Sequence, residues 1–212
     1  MSLLSKLLHF VLISSRNHNI DESHGVSHSM NVLIYANKIF ENEVANYPIL
    51  KNHEKIIYVS AILHDMCDKK YMNEKDGIKE IEDFLQDNDA LNPTEINISK
   101  QIVATMSYSK VKAEGFPILG GYQKAYHVVR EADLLTAYDF DRCMIYKMNK
   151  NGANVDEAFK DAEDLFAKRV LKHNDDGLFL FDYSKKESLI LHNAALQRIS
   201  SWKSLVNKPL LR

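Results

Sequence analysis

Apolar residues recur along this chain at steps of three and four, the spacing of helices that bury one face. Leu4, Leu7, Leu8 and Val11 mark a first amphipathic helix, and a polar loop over about 15–23 follows. A second helix is predicted over about 25–44, with Val32, Tyr35 and Ile39 on one face, and a third over about 53–66. The fourth, over about 74–86, carries Ile78, Ile81 and Leu85; the fifth runs from Pro93 to about Ser107, proline suiting its first turn. Segment 110–121 reads as a loop. One long helix is then expected over about 122–149, because Tyr122, Tyr126, Val129, Asp133, Ala137, Phe140, Met144 and Met148 keep a single face. NKNGAN stops it.

A further helix covers about 154–171 through Val155, Phe159, Ala162, Phe166 and Val170, and HNDDG breaks it. LFLFDY, residues 178–183, reads as a short strand or an extended packing segment. The last helix, about 185–206, holds Leu191, Ala195, Ile199 and Trp202. The sum is an all-α, single-domain helical bundle over 1–212, with room for one short extended segment near the C-terminus. Its N-terminal helix and loop occupy 1–20.

Composition changes this picture little. Hydrophobic residues make up 45% of the 212 and charged residues 26%, enough for an ordinary core. The formal net charge of -2 gives no ground for a nucleic-acid duplex as partner. No stretch approaches the ~20 apolar residues of a membrane span, and Lys6 and His9 interrupt the N-terminal apolar run where a signal peptide would be uninterrupted. Two cysteines, Cys67 and Cys143, make neither a disulfide framework nor a thiolate zinc site, so a cytoplasmic, reducing location is expected. The oligomeric state stays open.

The informative positions are polar residues set in apolar stripes, because a buried charge or imidazole costs several kcal/mol (roughly) unless it is paired or bound to metal. His28 heads the stripe of Val32, Tyr35 and Ile39. His64 and Asp65 close the apolar run IIYVSAIL. Asp133 sits inside the long apolar face, with Arg130 three residues earlier as a possible partner for its charge. Two imidazoles and two carboxylates form a mixed ligand set that suits Mn²⁺, Fe²⁺, Co²⁺, Ni²⁺ or Mg²⁺, with Zn²⁺ also open.

In order, HGVSHSMNV (24–32), LHDMCDKKY (63–71) and READLLTAYD (130–139) resemble the three motifs of the HD-domain superfamily of metal-dependent phosphohydrolases, in its small single-domain form. The resemblance spans about 24–182, including a basic and acidic segment near 168–176. It implies an all-α HD core and one divalent metal ion held by His28, His64, Asp65 and Asp133. It also implies Asp68 as general acid or base beside the catalytic Asp65, and Lys69 near the substrate phosphate. Arg130, Lys110 and Lys112 are further candidates for phosphate oxygens, with Ser107 and Ser109 behind them. His24 is a candidate substrate contact, although Gly25 stands where relatives carry an aspartate that would support it. His127 is the sole histidine between His64 and Asp133, which argues against a second metal.

The expected activity is hydrolysis of a phosphoester, of a nucleotide or a similar small phosphorylated metabolite, by a monoesterase or a diesterase. The competing expectation is an inactive, metal-containing module that binds nucleotides or a protein partner.

Overall fold

The computed structural model describes residues 1–88 and 91–208. Among these the secondary structure is helical throughout, with no strand.

Side-chain caps set many of the starts. Helix α1 (Leu3–Asn17) begins where the Ser2 hydroxyl accepts from the Ser5 amide, and buries Leu7, Val11 and Ser14. Helix α2 (Val26–Glu43) buries His28, Val32, Ala36 and Ile39. A 3-10 turn opened by Pro48 leads into α3 (Glu54–Leu63), in which every residue from Val59 to Leu63 is buried. Helix α4 (Glu74–Asp87) is capped by Asn73, and α5 (Pro93–Thr105) by a reciprocal pair in which Asn92 and Glu95 each accept the other's amide. Helix α6 (Tyr108–Glu114) is short, and α7 (Gln123–Thr136) is almost wholly buried along its length. Helices α8 (Phe140–Asn151) and α9 (Val155–Lys168) form a hairpin, the Asn154 and Glu157 pair opening the second arm. Helix α10 (Asp182–Val206) closes the chain.

Helix α3 is the axis. It packs against α1, α2, α5 and α7, and α2 in turn lies along α7. That arrangement explains the lack of polarity in IIYVSAIL: a helix surrounded on several sides has no solvent face to keep wet. It also brings α2, the end of α3 and α7 together, the three places that carry His28, His64 with Asp65, and Asp133.

The expected long helix over 122–149 is broken. Helix α7 ends at Thr136, whose hydroxyl donates to the Asp133 carbonyl at 2.7 Å, and Asp139 caps α8 by accepting from the Arg142 amide at 3.1 Å. Phe140 and Met144 still point inward, so the apolar spacing continues across the break and hides it. The expected loop over 110–121 contains most of α6, opened by Ser107, whose hydroxyl accepts from the Lys110 amide.

The expected extended piece at 178–183 is irregular chain followed by the first turn of α10, which begins three residues earlier than its apolar pattern. Buried acids hold it. The Glu131 carboxylate accepts from the Leu180 and Phe181 amides at 2.9 and 3.2 Å, and Glu43 accepts from the Tyr183 amide at 2.9 Å. Carboxylates at a helix N-terminus satisfy its free amides and favour its dipole.

Candidate metal centre

His28 enters from the first turns of α2. His64 is the residue that caps α3, so it and Asp65 leave the helix just where the chain turns away. Two successive helical residues would diverge by about 100°, and ending the helix at Leu63 removes that restriction. Asp133 arrives from α7.

The Nε2 atoms of His28 and His64 lie 2.9 Å apart. Asp65 Oδ2 stands 3.3 Å from the first and 3.2 Å from the second, and Asp133 Oδ1 is 3.4 and 3.8 Å from them. One ligand atom each from His28, His64 and Asp65 falls within 4.8 Å of the others; Asp133 adds the fourth from beside that trio.

The hydrogen bonding says what this cluster accepts. The Ala61 carbonyl can only accept, so His64 Nδ1 donates to it, at 2.8 Å. A neutral His64 therefore turns its Nε2 lone pair toward His28, the tautomer that metal-bound histidines adopt when a carbonyl holds the other nitrogen. Asp65 Oδ2 is buried and has no hydrogen-bond partner. Two nitrogens facing at 2.9 Å, with carboxylate oxygens of Asp65 and Asp133 beside them, leave a place that a shared proton or a cation fills. The pKa directions agree. Burial alone would lower His64, but Asp65 and Asp133 outweigh it and raise it to about 9. Burial would raise Asp65, and His64 and His28 instead hold it well below the usual carboxylate range. Asp133 is held down in the same way, chiefly by His28. The residues present thus fit a divalent cation, whose charge would stand where the His64 proton otherwise does.

His64, Asp65 and Asp133 form part of the wall of an open cavity of ≈ 470 Å³, whose lining does not include His28. His24 lines it, and its surroundings answer the question raised by Gly25. The Ser23 hydroxyl, 2.7 Å from His24 Nδ1, donates to Asp21, and the Tyr71 hydroxyl, 3.0 Å from the same nitrogen, donates to the other Asp21 oxygen at 2.7 Å. An aspartate four residues before Gly25 supplies the support at one remove. Lys70 donates to His24 Nε2 at 3.2 Å. Burial, reinforced by Lys70, Arg142 and His28 against the pull of Asp65, drops the His24 pKa to about 4, so its imidazole is neutral.

Asp68, Lys69 and Lys110 also line the cavity, as do Ser107 and Ser109. Asp68 is engaged: it accepts from the Lys70 amide at 2.9 Å and pairs with the Lys70 ammonium at 3.0 Å. Lys110 is paired with Glu74. Lys112 is on α6, against Tyr108 and outside the lining.

Arg130 is elsewhere. It is 2% exposed, pairs with Glu131 at 3.1 Å rather than with Asp133, donates to the Leu178 carbonyl at 2.7 Å, and lies over the Phe116 ring. Its helical position relative to Asp133 suggested a pair, but the side chain is drawn to the irregular segment before α10. His127 is buried beside Phe116 and Gln123, away from the cavity.

Sequence reasoning missed Lys70, Arg142, Tyr146, Lys147 and Arg169, which complete the wall. The last lies in the basic and acidic segment near 168–176, so a signal existed. Arg142, Tyr146 and Lys147 were masked by the expectation of one unbroken helix.

No family model matches the chain, and no curated protein matches it. Among solved structures, a Lactobacillus plantarum protein determined as a structural-genomics target shares the fold. It is 19% identical with a TM-score of 0.66, over 95% of this chain and 97% of that one. A likeness at that identity bears on the fold alone.

Proposed function

We propose that this chain is a metal-dependent phosphohydrolase of the HD type, acting in the cytoplasm on a small phosphorylated metabolite such as a nucleotide. One observation carries the reading: His28, His64, Asp65 and Asp133, drawn from three separate motifs, meet with their donor atoms facing, and the last three line a cavity. The order and form of those motifs support it. A cavity of ≈ 470 Å³ is the size of a small-molecule site.

A divalent cation, held by His28, His64, Asp65 and Asp133, would supply Lewis-acid polarisation of a phosphoryl oxygen and a water of lowered pKa. The protein's own groups do the rest. Asp65 and Asp133 fix the ligand geometry, and the Ala61 carbonyl fixes the His64 tautomer. Asp68 is the acid or base, and its carboxyl group is kept in place by Lys70. The neutral His24 ring accepts from Lys70 and so positions that ammonium on the cavity wall.

The Asp68 to Lys70 pair also favours a second reading, a module that binds a phosphorylated ligand without turning it over, since an engaged carboxylate is a poor proton acceptor. A turnover screen with Mn²⁺, Co²⁺, Ni²⁺ and Mg²⁺ against nucleoside mono-, di- and triphosphates and an aryl phosphate decides between them. Turnover abolished by Asp65→Ala supports the hydrolase. Bound metal with no turnover leaves the module.

A further inference from the structure

The cavity wall carries six cationic side chains among the described residues: Lys69, Lys70, Lys110, Lys147, Arg142 and Arg169. Three are neutralised by carboxylates, Lys70 by Asp68, Lys110 by Glu74 and Lys147 by Asp161. Lys69 is exposed, as a solvated lysine usually is. Arg142 and Arg169 are different. Neither is exposed, and among the described residues no carboxylate forms an ion pair with either. The Arg142 Nε is used by the Ser23 carbonyl. The Arg169 Nε is buried and has no hydrogen-bond partner, while its guanidinium carbon lies 3.9 Å from the centre of the Tyr108 ring.

A sheltered guanidinium without a counter-anion is costly, and structures keep one where a ligand supplies the anion. Stacking on Tyr108 fixes the plane of Arg169 in advance, so less rotamer entropy is lost when it grips a planar or forked anion. Asp133 acts on Arg169 electrostatically but beyond ion-pair distance, and a divalent cation held beside Asp65 and Asp133 would take up that charge. Asp139, the remaining carboxylate of the wall, caps α8. The chain as a whole is at -2, so the positive excess here is local.

We infer that Arg142 and Arg169 form an anion cradle for a dianionic phosphoryl group, so that the site takes phosphomonoesters or terminal phosphates and disfavours phosphodiesters, which carry one charge. This rests on the hydrolase reading for the reaction, and on the metal centre alone for the binding. A guanidinium matches two oxygens of one phosphate through parallel N–H bonds, and a diester has fewer free oxygens to offer.

The test separates the two claims. Binding of inorganic phosphate and of dimethyl phosphate to the Mn²⁺-loaded full chain is measured by calorimetry at about pH 8, where phosphate is mostly dianionic. Both probes have an oxygen for the cation; only one carries the second charge. The inference expects inorganic phosphate to bind at least ~10-fold more tightly in the wild type, with that preference lost in Arg169→Gln and in Arg142→Gln and partly kept in Arg169→Lys. Metal content is expected to be unchanged in all three. Equal binding of the two probes by the wild type, or a preference that survives both glutamine variants, overturns it. If Arg169→Gln fails to fold, Arg142→Gln carries the result. Rates on an aryl phosphomonoester and a bis-aryl phosphodiester are read in parallel. Absence of both rates with the phosphate preference intact sinks the hydrolase reading and spares the cradle.

Discussion

The Nε2 atoms of His28 and His64 face each other across 2.9 Å, with the other side of His64 fixed to the Ala61 carbonyl. The two rings share one proton or one cation there, and the flanking Asp65 and Asp133 oxygens add negative charge. A cation placed between them would take up the facing lone pairs and the carboxylate charge together.

Metal binding should therefore appear as stability. Adding Mn²⁺ to metal-free protein is expected to raise the melting temperature, because an ion that binds only the folded state stabilises it by about 2.7 kcal/mol at a hundred times its Kd. In Asp133→Asn the shift should vanish while far-UV circular dichroism is unchanged. A variant that keeps the full shift would remove Asp133 from the ligand set.

The legibility of this centre in the sequence was uneven, for physical reasons. His28, His64, Asp65 and Asp133 stood out because each is a polar residue on an apolar stripe, and burial makes that rare without a partner. The same reasoning mistook Arg130, since apolar spacing tells that a side chain goes inward and not which anion it meets there. The break at 137–139 was invisible because Phe140 and Met144 keep the helical phase of α7. The cap made by Asp139 was the local signal, and it was read as part of a motif. With the break missed, Arg142, Tyr146 and Lys147 were assigned to no site. Residues on the cavity wall are brought in by loops and helix starts, whose polar character looks like ordinary surface until the fold is known.

Arg130 and Glu131 make a structural prediction. Glu131 is fully buried, balances Arg130 and caps α10 through two amides. Glu131→Ala should destabilise by about 3–5 kcal/mol, the usual result of stranding a buried charge. Arg130→Met should cost less, because Glu131 keeps its bonds from the Leu180 and Phe181 amides, and leave phosphate binding unchanged. Chemical denaturation with calorimetry on the folded variants checks both; a loss of phosphate affinity in Arg130→Met would return that residue to the site.

Acid should unfold the metal-free protein early. His127 and His173 are buried and held neutral, each at about 3, burial being the main cause and Arg130 or Arg169 adding to it. Their folded pKa lies below the unfolded value of 6.5, so their stabilisation is complete above that pH and is lost as pH falls toward 3. Each contributes a slope of up to about 1.4 kcal/mol per pH unit in that window. His173→Phe should flatten the profile between about pH 6 and 4. An unchanged slope would mean the ring is already protonated or accessible.

Gly77 ties α4 to the metal segment. A Cβ there would fall 2.7 Å from the Cys67 Cα and 2.8 Å from the Met66 carbonyl oxygen. Gly77→Ala has to push the 65–68 turn away, so it should destabilise by about 1–3 kcal/mol and weaken metal binding with every ligand still present. Metal titration of the folded variant reads this. Wild-type affinity would show that the turn moves without carrying Asp65.

The most direct test is the metal content of purified wild type and Asp65→Asn after loading with Mn²⁺ and desalting. The account predicts about one ion per chain in the wild type and essentially none in the variant, at equal helicity. No ion in the wild type, or a full equivalent retained by Asp65→Asn, contradicts it and returns His28, His64, Asp65 and Asp133 to the role of a hydrogen-bonded core cluster.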